Sequence, residues 1–164
     1  MSPLFEKCMP VIFKHEGGYV FDLDDPGGET NMGICALFYI NLDVKNLTKE
    51  RATAIYKYDY WLEAGMEGIL QENAVLQIFD MCVNARSKRH GFTKVIKIVQ
   101  QLTGTKEDGY MGPITRRAVN TYLGDFAHDF AHARKVYYEH RCEQNPVLKK
   151  YLKGWFRRVD SCYF

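Results

Sequence analysis

Apolar positions recur with helical spacing through most of this 164-residue chain, and the recurrence breaks clearly in one place. Leu4, Phe5, Cys8, Val11, Ile12 and Phe13 form a stripe that reaches Glu16, with Ser2-Pro3 as a cap and first-turn pair. Pro10 is expected to kink or restart that helix, and Gly17-Gly18 to end it. Tyr19 to Leu23 and Asn31 to Ile34 read as two short strands around Asp24-Asp25-Pro26-Gly27-Gly28, the one convincing hairpin of the sequence. Beyond it the pattern is helical again. Thr48 is expected to cap a helix running to Trp61, with Ala52, Ile55, Tyr56 and Tyr60 at helical spacing, and Asn73 to cap another running to Ala85. Further helices are expected from Phe92 to Leu102, from Pro113, from Asp125 to Arg141, and from Asn145-Pro146 onward. With no repeat, low-complexity tract or long linker, the expectation is a single mainly α domain with one small β-hairpin.

The break in the pattern is where chemistry concentrates. His15-Glu16-Gly17-Gly18-Tyr19 puts an isolated carboxylate at a helix end, where it opposes the helix dipole, and follows it with two glycines that let backbone approach a ligand closely. The acidic, glycine-rich turn that follows can fold back over this carboxylate, bringing Asp25 and Thr30. An acid that protonates a leaving oxygen, opposite a polar pair that manages a water or a cation, is an arrangement for cleaving a glycosidic bond. Asp22 and Asp24 are the alternatives to Asp25 as the second carboxylate.

The run from His15 to Ile34 resembles the N-terminal signature of the glycoside hydrolase family 108 lysozymes, N-acetylmuramidases of phages and of Gram-negative bacteria. That signature is Glu-Gly-Gly-Tyr followed by Asp-Pro-Gly-Gly-x-Thr-Asn-x-Gly-Ile. The order Glu16, Asp25, Thr30 is also similar to the Glu, Asp, Thr triad of the phage-type lysozymes of family 24, although the interval from Asp25 to Thr30 is one residue shorter. Trp61, the run Phe79 to Asn84, the run Asp108 to Thr115 and the run Gly154 to Val159 resemble later family 108 segments, so the likeness covers nearly the whole chain. Departures are Cys35 in place of Thr, Asp22-Leu23-Asp24 in place of Asn-Asp-Pro, and Arg86 where a Gly often follows Asn84. The resemblance implies a lysozyme-like helical fold with the hairpin beside an active-site cleft. It also implies a catalytic part over residues 1–88 and a helical part over 89–164 that resembles a peptidoglycan-binding region.

What the resemblance implies for mechanism is hydrolysis of the β-1,4 bond between N-acetylmuramic acid and N-acetylglucosamine, with Glu16 as proton donor and Asp25, helped by Thr30, orienting water or steadying positive charge. Tyr19, directly after the motif, is expected to stack on a sugar ring, whereas Tyr58 and Trp61 at helical spacing read as core. Asp80 and Asn84, four apart on one helical face, are expected to bind substrate; a structural network is the competing reading. Arg157-Arg158 reads as a solvated helix end, with contact to the acidic stem peptides of a cell wall as the alternative. Two other classes stay open: a lytic transglycosylase using Glu16 alone, and a noncatalytic peptidoglycan-binding or secretion-assisting protein.

Composition narrows this little. A formal charge of +2 implies no strong nucleic-acid field, and the expected partner is the glycan strand of peptidoglycan, met by a monomer. Cys8, Cys35, Cys82, Cys142 and Cys162 form no metal-binding or disulfide framework, and the five histidines make no ligand set, so no metal or organic cofactor is expected. Reduced thiols, no secretory segment and no apolar run of membrane-spanning length lead to the expectation of folding in the cytoplasm. Access to periplasmic peptidoglycan would then follow release through a separate pore such as a holin.

Overall fold

In the computed structural model, residues 2–21, 28–85 and 91–164 are described, and they form seven α-helices and a three-stranded antiparallel sheet. The fold is mainly α and lysozyme-like. Contacts divide the chain into two compact units, Met1–Asp59 and Tyr60–Phe164.

In the first unit, α1 (Pro3–Glu16) buries Phe5, Cys8, Met9 and Ile12, the spacing of a single helical face. Pro10 does not interrupt it. Pro10 is exposed, and the carbonyl that loses its donor belongs to Glu6, also exposed, so water can replace the missing bond. The helix stops where Gly17 takes φ 73° and ψ −162°, a region essentially closed to residues with a Cβ. The Ser2 side chain makes no capping bond; its carbonyl accepts from the Glu6 N–H at 3.2 Å.

The expected hairpin is a sheet of three strands, β1 (Val20–Phe21), β2 (Glu29–Asn31) and β3 (Ile34–Cys35), in the order β1-β2-β3. Val20 pairs with Thr30 and Asn31 with Ile34. The segment read as one strand from Asn31 to Ile34 is instead a reversal: Met32 (φ 48°) and Gly33 (φ 77°) both adopt positive φ, as the two-residue turns that suit twisted strands require. The turn expected over residues 24–27 lies outside the described residues. After a 3-10 turn at Ala36–Phe38, α2 (Lys49–Ile55) begins where the Thr48 hydroxyl accepts from the Arg51 N–H at 3.2 Å. The helix expected to reach Trp61 does continue, but as a π-helical stretch over Tyr56–Leu62.

The second unit is organised by α3 (Glu72–Asn84), which is buried continuously from Ala74 to Val83. A helix apolar on most sides must be surrounded; α4 (Gly91–Thr103) and α6 (Phe126–Gln144) pack against it, and α7 (Lys149–Asp160) packs on α6. Asn73 is not its cap. The N-cap position is Gln71, and the Asn73 side chain accepts from the Phe164 N–H at 2.9 Å, tying down the last residue. Pro113 opens α5 (Pro113–Asn120) and the Asp125 carboxylate caps α6, both as the sequence indicates.

Two polar residues in the interior of α3 define the packing around it. Asp80 has no exposed surface, and its carboxylate accepts from Arg134 at 2.6 Å and from Arg158 at 2.8 Å. Gln77 donates to the Val159 carbonyl at 3.0 Å and accepts from Arg134 at 3.3 Å, while Asn84 donates to the Tyr138 hydroxyl at 2.8 Å. Burial alone would discourage charge on Arg134, but Asp80 and its other partners more than offset this and leave the guanidinium firmly protonated. Arg158 is therefore a packing residue, not part of a solvated helix end. Because removing one member of a buried ion pair strands its partner, Asp80→Ala should lower the stability of this unit by about 3–5 kcal/mol. Urea unfolding followed by far-UV circular dichroism measures it.

Candidate active site

Glu16 is the last residue of α1 and is half-buried. Its carboxyl lies over the α-carbon of Gly33: a Cβ built there would stand 2.5 Å from Glu16 Oε2 and 2.8 Å from Cγ, and would also collide with the Tyr56 hydroxyl. The helix end, the β2–β3 turn and the start of the π-helical stretch thus converge on one carboxyl. Tyr56 is almost fully buried, its ring meets that of Phe13 edge-on at 6.0 Å between centroids, and its hydroxyl donates to the Met32 carbonyl at 2.8 Å. Met32 is the one non-glycine residue at positive φ among the described residues. Such a conformation costs a side-chain-bearing residue about 1–2 kcal/mol, so neighbouring contacts must hold it. The strain sits directly beside the carboxyl.

The rest of the sheet frames this point. Thr30, half-buried at the centre of β2, is paired with Val20 on one side and Cys35 on the other. Asn31 donates to the carbonyls of Val44 and Lys45 at 3.0 and 3.4 Å, anchoring the loop after the sheet. Tyr19 is 41% exposed, and its hydroxyl donates to Glu29 Oε1 at 3.0 Å. Desolvation, followed by this bond to Glu29, holds the phenol above its ordinary pKa. Asp25, Asp22 and Asp24 lie outside the described residues.

Asp80 and Asn84 are placed differently from expectation. Asp80 is enclosed with two guanidinium groups and Asn84 is bonded to Tyr138, so the competing structural reading accounts for both. From sequence, a face shared by two polar residues looks the same whether it meets sugar or arginine. Tyr58 differs in the opposite sense: read as core, it is 64% exposed and lines a pocket of about 430 Å³ with Tyr39, Leu42, Arg51, Ile55 and Asp59. There the Tyr39 hydroxyl donates to Asp59 at 2.7 Å.

The segment Asp108 to Thr115 is a braced turn. Buried Gln100 donates to Asp108 at 2.7 Å and to the Tyr110 carbonyl at 3.1 Å, and accepts from the Gly109 N–H at 2.8 Å. Tyr110 is left projecting beside a pocket of about 310 Å³ that Glu63, Phe92 and Met111 help to line. Among the described residues no group of three or more His, Cys, Asp or Glu side chains could hold a metal ion. The cysteines are free thiols, and burial pushes the Cys82 thiol far above its ordinary pKa, which makes it inert.

Sequence reasoning missed Gly33 and Tyr56. The signal available for the first was a glycine inside a short strand pattern; Tyr56 gave none beyond its helical spacing, because its partners are 24 and 43 residues earlier in the chain. Since a buried carbonyl robbed of its donor stays unsatisfied, Asn31→Ala should destabilise the first unit by about 1–3 kcal/mol. A thermal or urea melt of the purified chain tests this.

The sequence model of the glycosyl hydrolase 108 family matches residues 9–85, and that of a predicted peptidoglycan domain matches residues 94–160. Among solved structures, that of Brucella abortus SagA is similar, with 30% identity, a TM-score of 0.76, and coverage of 98% of this chain and 91% of that one. No curated protein matches.

Proposed function

The chain belongs to the glycosyl hydrolase 108 family, and we propose that its role in hydrolysing or binding peptidoglycan is that of an N-acetylmuramidase with Glu16 as the acid. The observation that carries this reading is the seating of the Glu16 carboxyl at the helix end, half-buried and pressed against Gly33, inside the family-matched segment. A carboxyl so placed has a defined direction and limited access to water, as a group that must hand one proton to one oxygen requires.

In the proposed reaction Glu16 protonates the oxygen leaving from the β-1,4 bond between N-acetylmuramic acid and N-acetylglucosamine. Positive charge then develops at the sugar's anomeric carbon. Asp25, with Thr30 from the middle strand, orients the water that attacks or steadies that charge, and the partly exposed Tyr19 stacks on a sugar. The second unit, which contains the whole match to the predicted peptidoglycan domain, supplies further contact with the wall polymer.

Glu16→Gln preserves shape but has no acidic proton, so turnover of purified peptidoglycan should fall by about 100-fold or more while wall binding persists. Near-full activity in a folded Glu16→Gln protein would remove Glu16 from the role. Asp25→Ala should cost far more activity than Asp22→Ala or Asp24→Ala; three equal activities would leave Glu16 without Asp25 as its partner. Mass spectrometry of the released muropeptides identifies the bond. Reducing N-acetylmuramic acid ends are expected, anhydro ends would indicate a transglycosylase, and no release would indicate a binding protein.

A further inference from the structure

We infer that Gly33 and Tyr56 are positioning residues for Glu16: the glycine leaves the space that the carboxyl occupies, and the tyrosine hydroxyl fixes the turn that presents that space. This rests on the reading of Glu16 as the acid. Two separate constraints fall on Gly33. Its φ of 77° is one that side-chain-bearing residues rarely adopt, and the volume a Cβ would take is already filled by Glu16 Oε2, Glu16 Cγ and the Tyr56 hydroxyl. The positive φ follows from the two-residue turn, but the filled volume does not. Gly104 shows the difference, since it has φ 64° with nothing within 4 Å of its Cβ position.

Tyr56 closes the arrangement. Its hydroxyl donates to the carbonyl of Met32, the strained neighbour of Gly33, and its ring packs edge-on against Phe13, one helical turn before Glu16 in α1. Phe13 is held in turn, because its carbonyl accepts from the Gly17 N–H at 3.3 Å. The last turn of the helix, the buried phenol and the strand turn therefore form a ring of contacts around one carboxyl, with neither Tyr56 nor Gly33 required to touch substrate. A proton donor displaced by an ångström still binds its substrate but no longer points at the leaving oxygen.

The test uses the purified full chain and soluble glycan strands, with kcat and KM determined separately and a thermal melt for each variant. Glu16→Gln should be inactive. Gly33→Ala should lower kcat by on the order of 100-fold with KM changed less than about twofold, and Tyr56→Phe should lower kcat by about tenfold, again with KM held. Gly104→Ala, which imposes the same backbone conflict without the collision, should keep wild-type kcat. Wild-type kcat in folded Gly33→Ala or Tyr56→Phe, or losses confined to KM, would overturn the positioning role while Glu16→Gln inactivity left the acid assignment standing. Activity in Glu16→Gln would overturn both. If Gly33→Ala does not fold, Tyr56→Phe decides: wild-type kcat at wild-type Tm ends the proposal, and a kcat loss at that Tm supports it.

Discussion

A carboxylate cannot stay ionised away from water without partners, and the second unit is arranged around one that is wholly enclosed. Asp80, in the middle of a helix buried along ten consecutive residues, draws Arg134 from α6 and Arg158 from α7 onto the same two oxygens. Their helices must approach α3 at heights that let both guanidinium groups reach. Gln77 and Tyr138 also accept from Arg134, and Asn84 donates to Tyr138. A network of this kind adds little net stability compared with an apolar core of the same volume, but it penalises every packing that leaves one member alone. Apolar contacts complete the arrangement: Tyr138 and Val159 pack with Leu152, Trp155 and Phe156, and Tyr138 stacks on Trp155 at 4.9 Å.

The first unit is governed by backbone geometry more than by charge. Its small sheet turns through two residues of positive φ, one of them a methionine, and the cost of that turn is offset by the Tyr56 hydroxyl on the Met32 carbonyl. Such a tight reversal brings a bare α-carbon against the Glu16 side chain at the end of α1. Strain, close approach and a half-buried carboxyl coincide here, the combination expected where local stability has been yielded to chemistry. The π-helical stretch beginning at Tyr56 lies at the same place.

Much of this was legible in the residues. Spacing of apolar positions located α1 and the helices that follow, Thr48, Asp125 and Pro113 marked helix starts, and the glycines after Glu16 marked the end of α1. Each of these is a local effect, settled by a side chain and backbone within a few positions of each other. Glu16 stood out for the same reason, because a carboxylate at a helix C-terminus is locally unfavourable whatever surrounds it. The family signature adds to that reading and agrees with the family match over residues 9–85.

Contacts between distant parts of the chain decided the rest. Pro10 could remain inside α1 because its face is exposed, and Asn73 could be drawn from capping to the C-terminal residue because Phe164 returns to it. Asp80 and Asn84 share a helical face, but whether that face meets sugar or arginine depends on residues more than 50 positions away. Gly33 and Tyr56 are 23 positions apart and acquire a role only when the turn and the helix close on Glu16. The sequence alone thus determined the helices, the break between them and the identity of the candidate acid, since these follow from propensity and spacing. Only the tertiary structure decided which polar groups are buried as partners and which surround the candidate acid, because desolvation and close approach are properties of neighbours in space.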